Sequence, residues 1–155
     1  TSNAPSSDQQ VSVLEFLIDD QTPEDLATAL ENLRAHPDVL EVLQIPAVAK
    51  KGRMGHVVQV ITKSTAKDAV AEACFIETTT LGLRWRTESR LVLDRSLVTT
   101  KQGIGVKLAK RPDGSISAKA EADDIAKAGV GQYERGQLRH RAQTDAINKE
   151  TDDRS

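Results

Sequence analysis

From Val11 to Ile18 the chain is almost continuously apolar, through Val11, Val13, Leu14, Phe16, Leu17 and Ile18. The run is too short for a typical helix and predicts a buried central strand. It ends abruptly at Asp19 and Asp20. Thr22 then offers an N-cap, Pro23 suits the first helical position, and Glu24 and Asp25 put negative charge at the helix N-terminus. Leu26, Leu30 and Leu33 recur along one helical face until Pro37 stops the helix after Ala35 and His36. Val39–Ile45 and His56–Thr62 read as two further strands forming a hairpin across a basic, glycine-bounded turn. Thr65 with Asp68 reads as a variant capping box for a second helix, whose inward face is expected at Ala69, Val70, Ala73 and Cys74. Leu81, Leu83 and Trp85 alternate with Gly82, Arg84 and Arg86, predicting a half-exposed fourth strand that continues to Leu93.

This order, βαββαβ, is the split βαβ, ferredoxin-like plait of the α+β class, with two helices on one face of a four-stranded antiparallel sheet. Residues 94–131 predict a small β-rich lobe: a hairpin around Lys101–Gly103, a strand Ile104–Ala109, and a type I turn at Arg111-Pro112-Asp113-Gly114. A helical pattern begins near Asp123, is interrupted at Gly129-Val130-Gly131, and resumes as a polar C-terminal helix over 132–149. Its sparse anchors, Leu138, Ala142 and Ala146, point to docking outside its own lobe. The plait is placed at residues 11–93. Disordered tails are expected at 1–10, where Ser2-Asn3-Ala4 resembles a scar of tag cleavage, and at 150–155.

Composition narrows the function. The 155 residues are 38% hydrophobic, 28% charged and 3% aromatic, with a formal charge of -2. Nucleic-acid binding normally rests on a broad basic excess or on aromatic platforms, so nucleic acid is an unfavoured partner. The single Cys74 cannot close an intrachain disulfide, and no apolar run reaches the roughly 20 residues of a membrane span. A cytoplasmic protein without a membrane segment is expected.

In the plait, alternate reversals carry the first strand–helix loop, the central hairpin tip and the exit from the second helix to one end of the sheet. Each of these junctions is polar. Asp19 and Asp20 are adjacent carboxylates, either ordinary punctuation after a strand or hard oxygen ligands for Mg²⁺ or Mn²⁺ shared with phosphates. Lys50, Lys51 and Arg53 form either a solvated hairpin tip or an anion site, in which Gly52 and Gly55 permit the backbone turns of a nest. Thr78, Thr79 and Thr80 either satisfy local backbone groups or donate hydroxyls to phosphate oxygens. Glu77 beside them is placed to join a metal shell or pair with Arg84. Together the three are the parts of a metal–polyphosphate site. Cys74, His36, His56 and His140 are too scattered to group as a nickel cage.

The segments IDDQTPE at 18–24, KKGRMG at 50–55 and ETTTLGLR at 77–84, in this order, resemble the C-terminal region of the LarC family, the nickel-insertion proteins of nickel-pincer-nucleotide cofactor synthesis. GVKLAK at 105–110 and KAEADD at 119–124 extend the resemblance into a later, β-roll-like lobe. The sequence departs from the family at Leu17 and Gln21. The resemblance implies CTP-dependent insertion of nickel, as substrate metal, into pyridinium-3,5-bisthiocarboxylic acid mononucleotide. This is the chemistry of a nickel chelatase or cyclometallase of the lyase class. It implies Asp19 and Asp20 as ligands of Mg²⁺ or Mn²⁺, with Lys50, Lys51, Gly52 and Arg53 around the triphosphate and Thr78, Thr79 and Thr80 on phosphate oxygens. From the second lobe it adds Lys107 and Lys119 to the nucleotide and Glu121 and Asp124 to the metal. The implied step is attack by a carboxylate, thiocarboxylate or phosphate of the substrate on the α-phosphorus of CTP, with no general base identified. It further implies a homo-oligomer, trimer or hexamer, and an N-terminal LarC portion in longer members, so that this chain is a fragment, a split subunit or a reduced form. The alternatives are a non-catalytic domain that senses a nucleotide or small anion and regulates a partner, and an oligomerisation domain. Nucleotide turnover discriminates the first from the insertase, and ligand-independent assembly marks the second.

Overall fold

The computed structural model describes residues 6–152. Of the tails expected to be disordered, residues 1–5, with the tag-like Ser2-Asn3-Ala4, and 153–155 lie outside the described residues, whereas 6–10 extend the first strand and 150–152 the last helix, contrary to that expectation. Two compact units divide the described chain, residues 8–90 in one and residues 91–152 with 6 and 7 in the other.

The first unit follows the order β1 (Ser6–Ile18), α1 (Pro23–Ala35), β2 (Val39–Val48), β3 (Met54–Lys63), α2 (Lys67–Glu77) and β4 (Arg84–Val92). The sheet order is β2-β3-β1-β4, with β3 antiparallel to both β1 and β2. This is the expected plait. Because side chains alternate across a strand, Leu14, Phe16 and Ile18 share one face of β1 and meet Val58 and Val60 of β3 and Val42 of β2. Leu26, Leu30 and Leu33 of α1 and Val70 and Cys74 of α2 cover that face, and all are buried. The opposite face, turned away from α1 and α2, carries Glu15, Leu17, Leu43 and Ile45, with Leu17 aligned to Val57 and Val57 to Ile45.

Helix α1 begins as its sequence dictates. The Thr22 hydroxyl accepts from the Asp25 N–H at 3.2 Å, and Pro23 stands in the first turn. Helix α2 differs from expectation. A 3₁₀ turn at Ser64–Ala66 leads directly from β3, Ala66 precedes the helix, and no side chain caps it. Thr65 lies inside that turn and Asp68 pairs with Lys67, so the predicted capping box does not form. Leu81 and Leu83 precede β4 rather than beginning it, and Leu81 is fully exposed.

The second unit is a three-stranded meander, β5 (Arg95–Thr99), β6 (Gly105–Lys110) and β7 (Ile116–Ala120), followed by α3 (Ala122–Ala128) and α4 (Gly131–Asp152). The predicted turn closes β6 to β7 through a bond from the Gly114 N–H to the Arg111 carbonyl at 2.9 Å, with Gly114 at φ +86. Helix α4 corrects its expectation. It packs on β6, β7 and α3 of its own lobe, burying Ala142 and Ala146 among Ile104, Val106, Leu108, Ala120 and Ile125. Small side chains bring the helix close to the sheet, so a weakly apolar stripe suffices. No helix among the described residues is long and apolar enough to cross a membrane.

Burial pushes the Cys74 thiol up to about 11, leaving almost no thiolate near neutrality. Iodoacetamide at pH 8 is therefore expected to leave Cys74 unmodified in the folded chain and to label it once guanidinium unfolds the protein; rapid labelling of the native chain would contradict the packing.

On the face turned away from α1 and α2, Glu15 of β1 accepts from Gln59 of β3 at 2.7 Å and pairs with Arg84 of β4 at 3.1 Å. The Gln59 hydrogen bond first, and then Arg84 and Arg86, hold its carboxyl below the ordinary 4.5. A depressed folded value adds stability above the unfolded value that is lost as pH falls through the folded one. In urea titrations from pH 6 to pH 3, Glu15→Gln should lower stability at pH 6 and flatten the acid decline; an unchanged slope would show that the carboxylate contributes nothing.

Candidate functional site: the loop end of the plait

The three polar junctions lie at one end of the four-stranded sheet and touch. Ile18 pairs with His56, so the start of β3 runs beside the end of β1. At Gly55 a Cβ would stand 2.7 Å from the Ile18 carbonyl oxygen and 3.1 Å from the Asp19 Cβ, so only glycine lets the strands approach this closely. Gly55 thus serves by its size and not, as expected, by a left-handed turn. The left-handed positions are Lys51 at φ +60 and Gly52 at φ +69. The tip is closed by a bond from the Ala49 N–H to the Arg53 carbonyl at 2.7 Å. Arg53 points its guanidinium at Asp19, with Nε 3.5 Å from Oδ2. Lys50 and Lys51 are exposed, with no ion pair among the described residues.

The threonines divide their work. The buried Thr78 hydroxyl donates to the Cys74 carbonyl at 2.7 Å and closes the end of α2. Thr79 donates to Asp20 Oδ1 at 2.6 Å, joining the third junction to the first. Thr80 donates to the Gly82 carbonyl at 2.8 Å and shapes the following turn. The Thr80 N–H donates to the Thr78 hydroxyl at 3.4 Å, and of the three Thr79 alone bonds a predicted site side chain of another junction. A hollow of about 350 Å³ lies alongside, lined by Glu15, Leu17, Thr80, Gly82 and Arg84 among others.

Two positioning residues had no sequence signal. Gln21 accepts from the Thr79 N–H at 3.3 Å and donates to the Glu77 carbonyl at 3.5 Å, and Asn32 of α1 donates to Glu77 Oε2 at 2.8 Å. Both partners are distant in the chain, so no local spacing reveals them. The expected Glu77–Arg84 pair is absent, because Arg84 reaches across to Glu15 and Glu77 is taken by Asn32.

In the second unit Lys107 stands directly opposite Lys119 in the β6–β7 register. Like charges so placed repel, and Lys107 is offset by Glu121 at 2.5 Å, whereas Lys119 is exposed and has no ion pair among the described residues. Asp124 Oδ2 accepts from the Gly105 N–H at 2.9 Å, tying α3 to β6. The four residues of this lobe therefore gather near Gly105 and Lys107.

Among the described residues no group of three or more His, Cys, Asp or Glu side chains converges on a point. Asp19 and Asp20 are hard oxygen donors, each with one carboxylate oxygen free of hydrogen bonds to the described residues. They suit Mg²⁺ or Mn²⁺ only if phosphate oxygens or water complete the shell. They do not suit a soft-ligand nickel site.

The sequence profile of the family described as nickel insertion protein matches residues 1–132. A putative nickel insertion protein of Synechococcus elongatus is 38% identical over 119 residues, covering 75% of this chain and 29% of that protein. The pyridinium-3,5-bisthiocarboxylic acid mononucleotide nickel insertion protein of Staphylococcus saprophyticus is 34% identical over 124 residues, covering 78% and 32%. The chain thus spans about three-tenths of the length of these curated relatives. Among solved structures, the apo form of LarC2, the C-terminal domain of a cyclometallase involved in the synthesis of the NPN cofactor of lactate racemase, superposes with a TM-score of 0.70 at 29% identity. That match covers 79% of this chain and 85% of the other. A protein of Methanopyrus kandleri shares the fold at a TM-score of 0.59 and 23% identity, covering 77% and 76%. The chain belongs to the nickel insertion protein family, LarC, and its fold is that of the family's C-terminal LarC2 domain.

Proposed function

We propose that this chain is the CTP- and divalent-metal-binding part of a nickel insertase acting on pyridinium-3,5-bisthiocarboxylic acid mononucleotide. The observation that carries the reading is the contact of the three junctions, Asp19 with Arg53 and Asp20 with Thr79, at one end of one sheet. Asp19 and Asp20 are the metal ligands, and Lys50, Lys51 and Arg53 neutralise the triphosphate, with Gly52 shaping the turn. Thr79 and Thr80 present hydroxyls, while Thr78 holds the loop that carries them. A cation about 4 Å from a phosphate oxygen is worth roughly 4 kcal/mol at an effective dielectric of 20 and about 0–1 kcal/mol when exposed. Lys50 and Lys51 are exposed, so their strength at this site depends on partial enclosure when nucleotide binds.

The chemical step in this reading is attack by a substrate oxygen or sulfur on the CTP α-phosphorus, forming a bond to phosphorus as pyrophosphate leaves. The protein contributes alignment and charge neutralisation. Nickel is cargo in this scheme, bound by the substrate and by groups beyond those described. Within the second lobe, Lys107 and Lys119 are assigned to nucleotide and Glu121 and Asp124 to metal, and Lys119 is exposed with no ion pair among the described residues.

In thermal-shift measurements with Mn²⁺, CTP at 100 times its dissociation constant should stabilise the chain by about 2.7 kcal/mol, with ATP, GTP and UTP weaker. The shift should vanish in Asp19→Ala/Asp20→Ala and shrink in Lys50→Ala/Lys51→Ala. No shift with any nucleotide would sink the reading.

Assembly into a trimer or hexamer belongs to the same proposal. Its support is the sheet face turned away from α1 and α2, where Leu17, Leu43 and Ile45 are each about two-fifths exposed. Light scattering on the eluted chain should give a trimer or hexamer mass, and Leu17→Lys/Ile45→Lys should reduce it to that of a monomer; a monomeric parent chain at high concentration would remove this part.

A further inference from the structure

In the structure, the groups assigned to metal and phosphate are paired with each other. Asp19 holds Arg53 at 3.5 Å, and Asp20 holds the Thr79 hydroxyl at 2.6 Å. Two of the side chains that would face a polyphosphate are therefore turned toward carboxylates, while Lys50 and Lys51 stand exposed. This is a specific arrangement. The two adjacent acids each take a partner from a different junction, one a cation and one a hydroxyl donor. Neither pairing is strong. The Asp19–Arg53 pair is about half exposed at the arginine, and such pairs change an equilibrium by at most about fivefold.

We propose that Asp19 and Asp20 act as a release for the anion site: when they turn to a divalent cation, they give up Arg53 and Thr79, which then face the phosphates. The proposal rests on the nucleotide-site reading above and adds how that site is regulated. A dication concentrates charge on two adjacent carboxylates that otherwise repel, and so competes well against one diffuse guanidinium and one hydroxyl. Freed, Arg53 offers a planar fork of donors suited to phosphate, and Thr79 offers an uncharged one. By linkage, nucleotide that captures Arg53 and Thr79 leaves the acids open to the cation, so each ligand tightens the other. The metal-free protein holds back part of its anion-binding capacity, which disfavours nucleotide that arrives without its metal.

A cation that simply bridges carboxylate and phosphate also couples the two ligands, and removing an acid near a phosphate also relieves plain repulsion. A double-mutant cycle measured without metal separates these from release. CTP binding is measured by calorimetry in EDTA, and again with Mn²⁺, for the full chain, Asp19→Asn, Arg53→Gln and the double variant. A parallel set uses Asp20→Ala, which removes the acceptor of the Thr79 hydroxyl, Thr79→Val and their double, and urea midpoints verify folding throughout. In EDTA, Asp19→Asn should tighten CTP about two- to fivefold more when Arg53 is present than in the Arg53→Gln background, where only the relief of repulsion remains. Asp20→Ala should behave likewise against Thr79→Val. With Mn²⁺ both acid substitutions should weaken CTP. Equal tightening in both backgrounds would overturn the release while leaving the nucleotide site standing. Absence of CTP binding by the unsubstituted chain, with and without Mn²⁺, would remove the site itself and the release with it.

Discussion

The burial of one face of β1 under two helices is the constraint on which the rest depends. Leu14, Phe16 and Ile18 can leave water together only if β1 is paired on a sheet whose same face is covered by the leucines of α1 and by Val70 and Cys74 of α2. A slip of one residue would expose all three and bury Glu15 in their place. That register sets the ends of the strands. With Ile18 opposite His56, the Asp19 backbone is delivered to Gly55 at a distance no other residue type would allow without displacement.

The loop end of the plait illustrates how a fold makes weak local signals meaningful. Two acids after a strand, a basic hairpin tip and a run of threonines are each unremarkable as surface chemistry. Brought together, they form alternating acid–base and acid–hydroxyl contacts across three loops, supported from behind by Gln21, Asn32 and the Thr78 cap. The Thr78 bond to Cys74 also explains how a core residue with no chemistry of its own bears on the site: the helix that buries its thiol ends on the carbonyl that positions the threonine loop.

Legibility varied with the range of the interaction. The β1 run, the Thr22-Pro23 start of α1 and the Arg111–Gly114 turn are local, involving residues within a few positions, and they appear where the pattern predicts. The capping box at Thr65 failed because β3 runs on to Lys63 and a 3₁₀ turn occupies the residues that a cap would use. The C-terminal helix was misjudged for a different reason. Its mean polarity is high, but alanines at 142 and 146 allow a close approach that bulkier side chains would not, so packing distance replaced hydrophobic area. The candidate side chains of the plait are legible in the sequence, yet which of them touch is not, since Asp19–Arg53 and Asp20–Thr79 join residues far apart in the chain.

Sequence by itself determined the element order, the apolar faces and the kinds of group available at each junction, because periodicity, capping and turn chemistry are properties of short segments. Tertiary structure alone decided which groups are spent and which stand exposed. Thr78 is committed to a helix end, Arg53 to Asp19 and Glu77 to Asn32, while Lys50 and Lys51 face solvent. The physical reason is that a hydrogen bond or ion pair depends on separations of a few ångströms between distant segments. Those separations follow from how the sheet and helices pack, not from the order of residues within any one loop.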